Sequence, residues 1–570
     1  MSLETKSQEL KDLIATYDTQ WFLGDLAFLT TCIANGAAQE ELGQLSSPLR
    51  QLYFLGGLML SSDSMPSGEV QFIPKKWNKI VQLLNEIERE YDKLFFPKGD
   101  EEIDEEWRKI RQVAMPSFLS YFNQGPLNYE EQTINWIRDL YGPMNAEIEA
   151  ETGVSVEYFI QFYEDVDTLN QTKFKGFSTN PELIKPEWLT YTELKVGVDE
   201  NVPDFIKKMG APNILLFTFM ADKGIKDRFK PEDLISAKLP LDKIKLILAS
   251  ISCQRGNGSF LYYTSTKPGN PLNDFPIVNI DNGLYQVFEV KQIIHAVENL
   301  LEKTCSNNVK LKSKLIKQKG KLLESRVLEL FKKFFKKDFK YFESYYVDGC
   351  EQDILFLWKN HAFIIEAKGY NLREPMRDPS KAFIKIKDDF ENCIGYGYTQ
   401  TKRVEQKFVN QVPLRIEDSK GNLLEEIDTT KYNENDFSII VNINSFGQIQ
   451  NDLSTLLKIE EEDAHPWAIK LDDLEVFFLT MIAQKKDPID FINYLILREQ
   501  LHGKLICSDE LEVCGGYLTG ELTEDRVEEV DQIITTPDLP GVFDKQYYKG
   551  MGFTNEKYLT EKNSGKYVFW

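Results

Sequence analysis

Between residues 75 and 94, apolar side chains recur three and four apart, at Trp77, Ile80, Val81, Leu83, Leu84, Ile87 and Tyr91. That is the spacing of one face of an α-helix. Asn135 to Ile148 and Ser155 to Val166 repeat it, so residues 1–170 read as a helical N-terminal domain. Residues 171–308 read as a mixed α/β region. In it, Asn213 to Met220 is mainly apolar and fits either a strand or a buried helix. Ser259 to Thr264 and Gly283 to Val290 read as short strands, and a helix then runs through Leu301. The chain has no internal repeat and no low-complexity tract, and nothing in its N-terminal half carries recognisable chemistry.

The pattern changes after residue 309. Gly320 precedes a helix with Leu322, Leu323, Val327, Leu330, Phe331, Phe334 and Phe335 on its apolar side. Tyr341 to Val347 reads as a strand and Asp348-Gly349 as a turn. Two more strands, Asp353 to Trp358 and Ala362 to Lys368, are joined through Lys359-Asn360. A long polar helix spans Ala382 to Val409; Phe437 to Ile443 and Trp467 to Leu471 are strands, and Leu474 to Ile482 and Pro488 to Arg498 are helices. Residues 309–485 thus form one domain with a mixed sheet, and 486–570 a helix followed, beyond Ile506, by an irregular, aromatic-rich tail. The fold class is multidomain, α+β and α/β, with a helical N-terminal half joined to a sheet core flanked by helices.

The joint at Lys359-Asn360 has a geometric consequence. A turn centred between these residues sets Trp358 against His361 and places Asp353 directly opposite Glu366. Opposed residues of an antiparallel pair project from one face, and alternation along the strand puts Lys368 on that face too. Two carboxylates and an ammonium then gather at one end of an apolar hairpin; a turn one residue longer or shorter would scatter them. Carboxylates that close repel, and one tends to keep its proton. A divalent cation removes the conflict, and hard oxygen ligands suit Mg2+ or Mn2+. Such an ion polarises a phosphoryl oxygen and lowers the pKa of a bound water. Lys368 sets a positive charge beside the developing phosphorane, or helps orient the water. Glu324, on the preceding helix, completes the metal shell directly or through water. The Glu-x-Lys tripeptide alone says nothing, since it recurs at Glu4, Glu9, Glu193, Glu289 and Glu405. The competing reading is a surface hairpin with an ordinary ion pair, which contributes about 0–1 kcal/mol. Ile364-Ile365-Glu366-Ala367-Lys368-Gly369 ends a run that is apolar on both faces, the mark of a central strand, and this favours a site.

Composition narrows the chemistry. At 42% hydrophobic the chain can build ordinary globular cores. No apolar run approaches the roughly 18 residues of a membrane span, and the first residues lack the apolar centre of a secretory signal. The seven cysteines are scattered with no CxxC pair, which counts against a zinc ribbon or a disulfide framework and points to a reduced, cytoplasmic protein. The four histidines show no helical ligand spacing, which counts against zinc proteases and His-dependent nucleases and favours carboxylate-held metal. His361, at the hairpin turn, reads as exposed, and Cys350 lacks the partner base a nucleophile needs. Ser564-Gly565-Lys566 has no upstream glycine to make a phosphate loop, so any translocation would need a separate NTPase or sensor subunit. The net charge of −23 looks wrong for a nucleic-acid binder, but binding depends on local fields. Val309 to Lys340 holds twelve Lys or Arg against three Asp or Glu, a local excess of +9. Such a run is often only a solvated helix face.

The stretch GKLLESRVLELF…VDGCEQDILFLWKNHAFIIEAKGYN resembles the PD-(D/E)XK, restriction-endonuclease-like nuclease superfamily, closest in style to its NERD-like and Mrr-like branches, over about residues 309–485. Position by position, Glu324 resembles the helix glutamate, Asp353 the metal-binding aspartate, and Glu366 and Lys368 the closing pair. Gln400 resembles the residue that approaches phosphate from the next helix, with Lys402, Arg403 and Gln406 beside it. Gln352 stands where a proline often precedes the aspartate. The resemblance implies catalytic Asp353, Glu366 and Lys368, and Mg2+ or Mn2+ held by Asp353, Glu366 and Glu324. Nucleic-acid contacts would come from Gln400, Lys402, Arg403, Lys319 and Lys321, and the basic run would guide a phosphate backbone.

The expected activity is therefore metal-dependent hydrolysis of phosphodiester bonds in DNA, with a role in bacterial defence or DNA repair that rests on fold-level association. Cutting both strands with one site per chain would call for a homodimer. Two alternatives stay open: a nucleic-acid or protein binding module without turnover, and the same chemistry on RNA.

Overall fold

The computed structural model describes residues 2–35, 38–63, 74–97, 99, 101–121, 128–177 and 222–550, without 257, 264–267, 282, 371–372, 374–376, 433–434 and 461–462. The apolar segment Asn213 to Met220 lies outside the described residues. The chain forms two compact units, one from Met1–Lys93, Gln124–Lys312 and Glu561–Trp570, the other from Leu94–Asn123 and Ser313–Thr560. The sequence pattern places its boundaries at 170, 308 and 485, the second of them close to the division at Lys312–Ser313.

The first unit is mainly helical. The apolar periodicity near residue 80 is the helix Pro74–Asp92, which buries all seven of its periodic side chains from Trp77 to Tyr91. The pattern over 135–148 is two helices, Glu130–Tyr141 and Asn145–Thr152, separated by a tight turn at Gly142–Met144 where Pro143 withholds a backbone donor. Ser155 to Val166 opens the helix Val156–Phe177. Arg228–Phe229, Ser252–Cys253, Ile277–Asp281 and Leu284–Val287 form a small mixed sheet, followed by the helix Val290–Asn307. Residues 259–263 are not a strand. Their aromatics pack on Phe54 instead, Phe260 at 5.8 Å and Tyr263 at 4.1 Å between ring centroids, so burial is met without a ladder.

The second unit contains, in chain order, α1 (Glu105–Tyr121), α2 (Val309–Phe335), β1 (Phe339–Val347), β2 (Cys350–Trp358), β3 (His361–Lys368), α3 (Pro379–Phe390), α4 (Tyr396–Val409), β4 (Leu414–Glu417), β5 (Leu423–Ile427), β6 (Asp436–Asn442) and β7 (Trp467–Lys470). It continues with α5 (Leu471–Ala483), α6 (Pro488–Glu499), β8 (Leu505–Ile506), α7 (Glu510–Thr519), α8 (Glu524–Glu529), β9 (Ile533–Ile534) and α9 (Gly541–Gly550). The first seven strands make one mixed sheet in the order β7-β6-β3-β2-β1-β4-β5. β6 runs parallel to β3 and β7, and the other neighbours are antiparallel.

Both faces of this sheet are covered, which is why its central strands read as unbroken apolar runs. On one face Phe331, Phe334 and Phe335 of α2 meet Phe356, Phe363, Phe478 and Phe491 in a cluster of edge-on and stacked rings. On the other, Leu355, Leu357, Ala362 and Ile364 pack with Val404 and Phe408 of α4.

Several expectations need correction. Gly320 does not start a helix: α2 runs through it from Val309, because Leu311 and Leu315 continue the buried stripe of Leu323 and Val327. The long polar helix is two, α3 and α4, joined by a π-turn at Glu391–Gly395. The hairpin of β4 and β5 is unforeseen, since these two charged strands at the end of the sheet bury only Leu414, Ile416 and Ile427. Beyond Ile506 the described chain is folded. α7 starts at an Asp509 side-chain cap, and its Gly515 lies so close to the Leu539 carbonyl that no larger residue fits. Glycines used for close packing break the apolar periodicity from which a helix is read.

Candidate functional site

Two tight turns bring the charged residues together. Asp348 and Gly349 between β1 and β2 both have positive φ, 51° and 75°, and Lys359 between β2 and β3 has φ 52°. The second turn sets Trp358 opposite His361, and the pairing continues in that register to Ile354 and Ile365. One step further, at Asp353 and Glu366, side chains replace the ladder. The Asp353 amide donates to Glu366 Oε1 at 3.2 Å, and the Ala367 amide donates to Asp353 Oδ2 at 2.7 Å. On the other side, β1 pairs with β2 at Glu343–Ile354 and again at Tyr345–Gln352, but not at the step between. Ser344, opposite Asp353, has φ 46°, a left-handed kink that a non-glycine residue adopts at a cost. The strands therefore part around Asp353 from both sides.

Lys368 closes the cluster. Its Nζ donates to Glu366 Oε2 at 2.7 Å and Gln400 Oε1 at 2.7 Å, and reaches Asp353 Oδ2 at 3.5 Å. Gln400 Nε2 donates in turn to the Glu351 carbonyl at 3.4 Å. Glu366 is completely buried, while Asp353 and Lys368 keep 17% and 12% of their side chains exposed, so the cluster opens to solvent on one side.

The electrostatics follow from this packing. Burial, followed by the charge of Asp353, pushes the Glu366 carboxyl up to about 8, against the partial relief from Lys368. Burial lowers the Lys368 ammonium, but Glu366 and Asp353 outweigh it and the net direction is upward. Glu324 is pushed up to about 7 by burial, then by Asp353, Glu351 and Glu343. Asp353 thus acts on both Glu324 and Glu366, and Lys368 relieves both.

The structure gathers Asp353, Glu366, Lys368 and Gln400. Glu324 lies on α2 and is coupled to them through charge: Asp353 and Glu351 raise its carboxyl and Lys368 lowers it. Among the described residues no group of three His, Cys, Asp or Glu side chains is drawn together to hold a metal. The donors nonetheless have the right chemistry for a hard divalent ion, since Asp353 and Glu366 supply carboxylate oxygens whose mutual repulsion an ion would relieve. Tyr345 Oη and Gln352 Oε1, flanking Asp353, are buried with no hydrogen-bond partner among the described residues.

Of the other expected residues, Lys402 is ion-paired to Asp463, which also accepts from Tyr398 Oη at 3.0 Å, and lies on a different side of α4 from Gln400. Arg403 is half-buried one turn beyond Gln400; on α2, Lys321 is exposed and Lys319 half-buried. His361 is buried, not exposed, because β6 begins beside it at Asp436–Ala362 and its ring lies 5.8 Å from that of Trp358. Ser344, Tyr345 and Tyr396 have no local signal that marks them as neighbours of the site. Only the spacing of Tyr396 one turn before Gln400 could have pointed to the last. All seven cysteines are free, and among the described residues no helix is long and apolar enough to cross a membrane.

The chain matches no family model, and no curated protein or solved structure matches it.

Proposed function

We propose that the second unit is a metal-dependent nuclease of the restriction-endonuclease-like type, hydrolysing phosphodiester bonds in DNA at Asp353, Glu366 and Lys368. The observation that carries this reading is the convergence of four side chains at the end of two central strands. Asp353, Glu366 and Lys368 lie within hydrogen-bonding reach, with Gln400 arriving from the following helix. The mixed sheet flanked by helices suits the same class.

Asp353 and Glu366 would hold Mg2+ or Mn2+, with Glu324 behind them. Bound there, the ion would polarise the phosphoryl oxygen and activate a water. Lys368 is the cation of the cluster and offers its charge to the phosphate as negative charge builds on it. Glu366 fixes the direction of the Lys368 ammonium, and Gln400 holds it from the other side. The exposed lysines of α2, Lys314, Lys317 and Lys321, recur three and four apart on the side that continues to Glu324, and suit a phosphate backbone approaching the site.

Incubating the full chain with supercoiled plasmid in Mg2+, Mn2+ or EDTA tests the proposal. Nicking or linearisation should require the metal. Lys368→Ala and Asp353→Ala should each lower it by about a hundredfold or more, with unchanged circular dichroism. Cutting that survives both substitutions would remove these residues from the reaction. Binding of nucleic acid without turnover in any metal would favour a binding module.

A further inference from the structure

Tyr396 is the first residue of α4 and follows directly on the π-turn at Glu391–Gly395. A π-turn adds a residue to the helical repeat and so rotates everything after it. Here the rotated face presents Tyr396 and Gln400, one turn apart, to the same atom. The Lys368 ammonium donates to Gln400 Oε1 at 2.7 Å and stands 5.5 Å from the centre of the Tyr396 ring. Between the two, Gly397 lets the helix come down on the sheet, since a Cβ there would meet Ile440 at 3.2 Å. Tyr396 is nonetheless 58% exposed. It is therefore an open aromatic face beside the nitrogen that the proposed chemistry uses.

Exposed tyrosines on helix surfaces are common, and a cation near one at an exposed site stabilises little. What sets Tyr396 apart is its neighbour, the cation held among buried carboxylates where the cluster meets solvent.

We propose that Tyr396 is the platform on which an unstacked base rests beside the scissile phosphate, so that the site acts on single-stranded nucleic acid in preference to intact duplex. This rests on the phosphodiesterase reading above. Inside a duplex both faces of each base are covered by its neighbours, and only a base that has left the stack has a face to offer.

The test measures fluorescence anisotropy with a labelled short DNA strand, the same sequence as RNA, and a blunt duplex. Calcium replaces magnesium, and the full chain is compared as wild type, Tyr396→Leu, Tyr396→Phe and Tyr396→Trp. Wild type should bind the single strand about tenfold more tightly than the duplex. Tyr396→Leu should lose about tenfold on the single strand and nothing on the duplex, while the Phe and Trp variants keep wild-type affinity. Melting temperatures should not differ, since the ring is exposed. The RNA arm tells which sugar the site prefers. A Leu variant that binds single strands like wild type, a loss shared equally by strand and duplex, or a wild type that prefers duplex would each overturn the platform while leaving the nuclease reading standing if wild type cuts in magnesium. A wild type that neither binds nor cuts any nucleic acid in any metal would overturn both.

Discussion

At Glu366 a carboxyl keeps its proton far above its ordinary value of 4.5, up to about 8, through burial and then Asp353; Glu324 behaves alike, to about 7. In the unfolded chain both lose that proton near the ordinary value. Their contribution to stability is therefore fully present below about pH 4.5 and is lost as pH rises through 7 to 8. One proton of difference changes stability by about 1.4 kcal/mol per pH unit. Thermal unfolding of metal-free protein should show the melting temperature falling between about pH 5 and pH 9, and Glu366→Gln should flatten part of that fall. Added Mg2+ should raise the melting temperature more at the alkaline end, where the carboxylates are bare. Equal slopes for wild type and variant would mean that Glu366 is ionised in the folded protein throughout.

Between elements, the C-terminal helices are joined to the sheet by a buried ion pair. Arg498 of α6 donates from Nε and Nη2 to Glu510 of α7 at 2.8 and 2.9 Å, and from Nη2 to the Asn451 carbonyl at 2.6 Å. The same Glu510 oxygen that takes Nε accepts from Trp467 Nε1 at 2.7 Å and Tyr494 Oη at 2.8 Å, which links β7, α6 and α7. Glu510→Ala would strand a guanidinium without its charge partner and should cost about 3–5 kcal/mol in a urea titration. Replacing both partners, Arg498→Met with Glu510→Leu, should cost clearly less than that single change. A double variant as unstable as Glu510→Ala would place the stability in the side-chain shapes, not in the charge.

Across the whole molecule, the sheet unit is completed from far away in the chain. α1, within Leu94–Asn123, packs against α3, burying Val113, Ala114 and Phe118. A fragment of residues 313–550 lacks that cover and should elute as aggregates in gel filtration. Co-expression with residues 94–123 should return a soluble species. If the fragment alone is monomeric and gives the same melting curve, α1 adds nothing to the unit.

The amino-acid sequence by itself determined the hairpin and what it gathers. The positions of the turn at Lys359-Asn360, the apolar runs and the acidic residues are all local. A two-residue turn leaves one register, and that register alone brings Asp353, Glu366 and Lys368 together, whatever the rest of the chain does. The helix Pro74–Asp92 was legible for the same reason, its apolar face being written within a few turns. Tertiary structure alone decided what depends on distant partners. It brought Glu324 of α2 within reach of the charges of Asp353 and Lys368, and it turned α4 through the π-turn so that Gln400 and Tyr396 meet Lys368. It folded the glycine-containing tail through α7 to α9 and brought α1 across to α3. Periodicity and turn chemistry act over a handful of residues, whereas these placements follow from which buried surfaces fit together, and those surfaces lie tens to hundreds of residues apart in the chain.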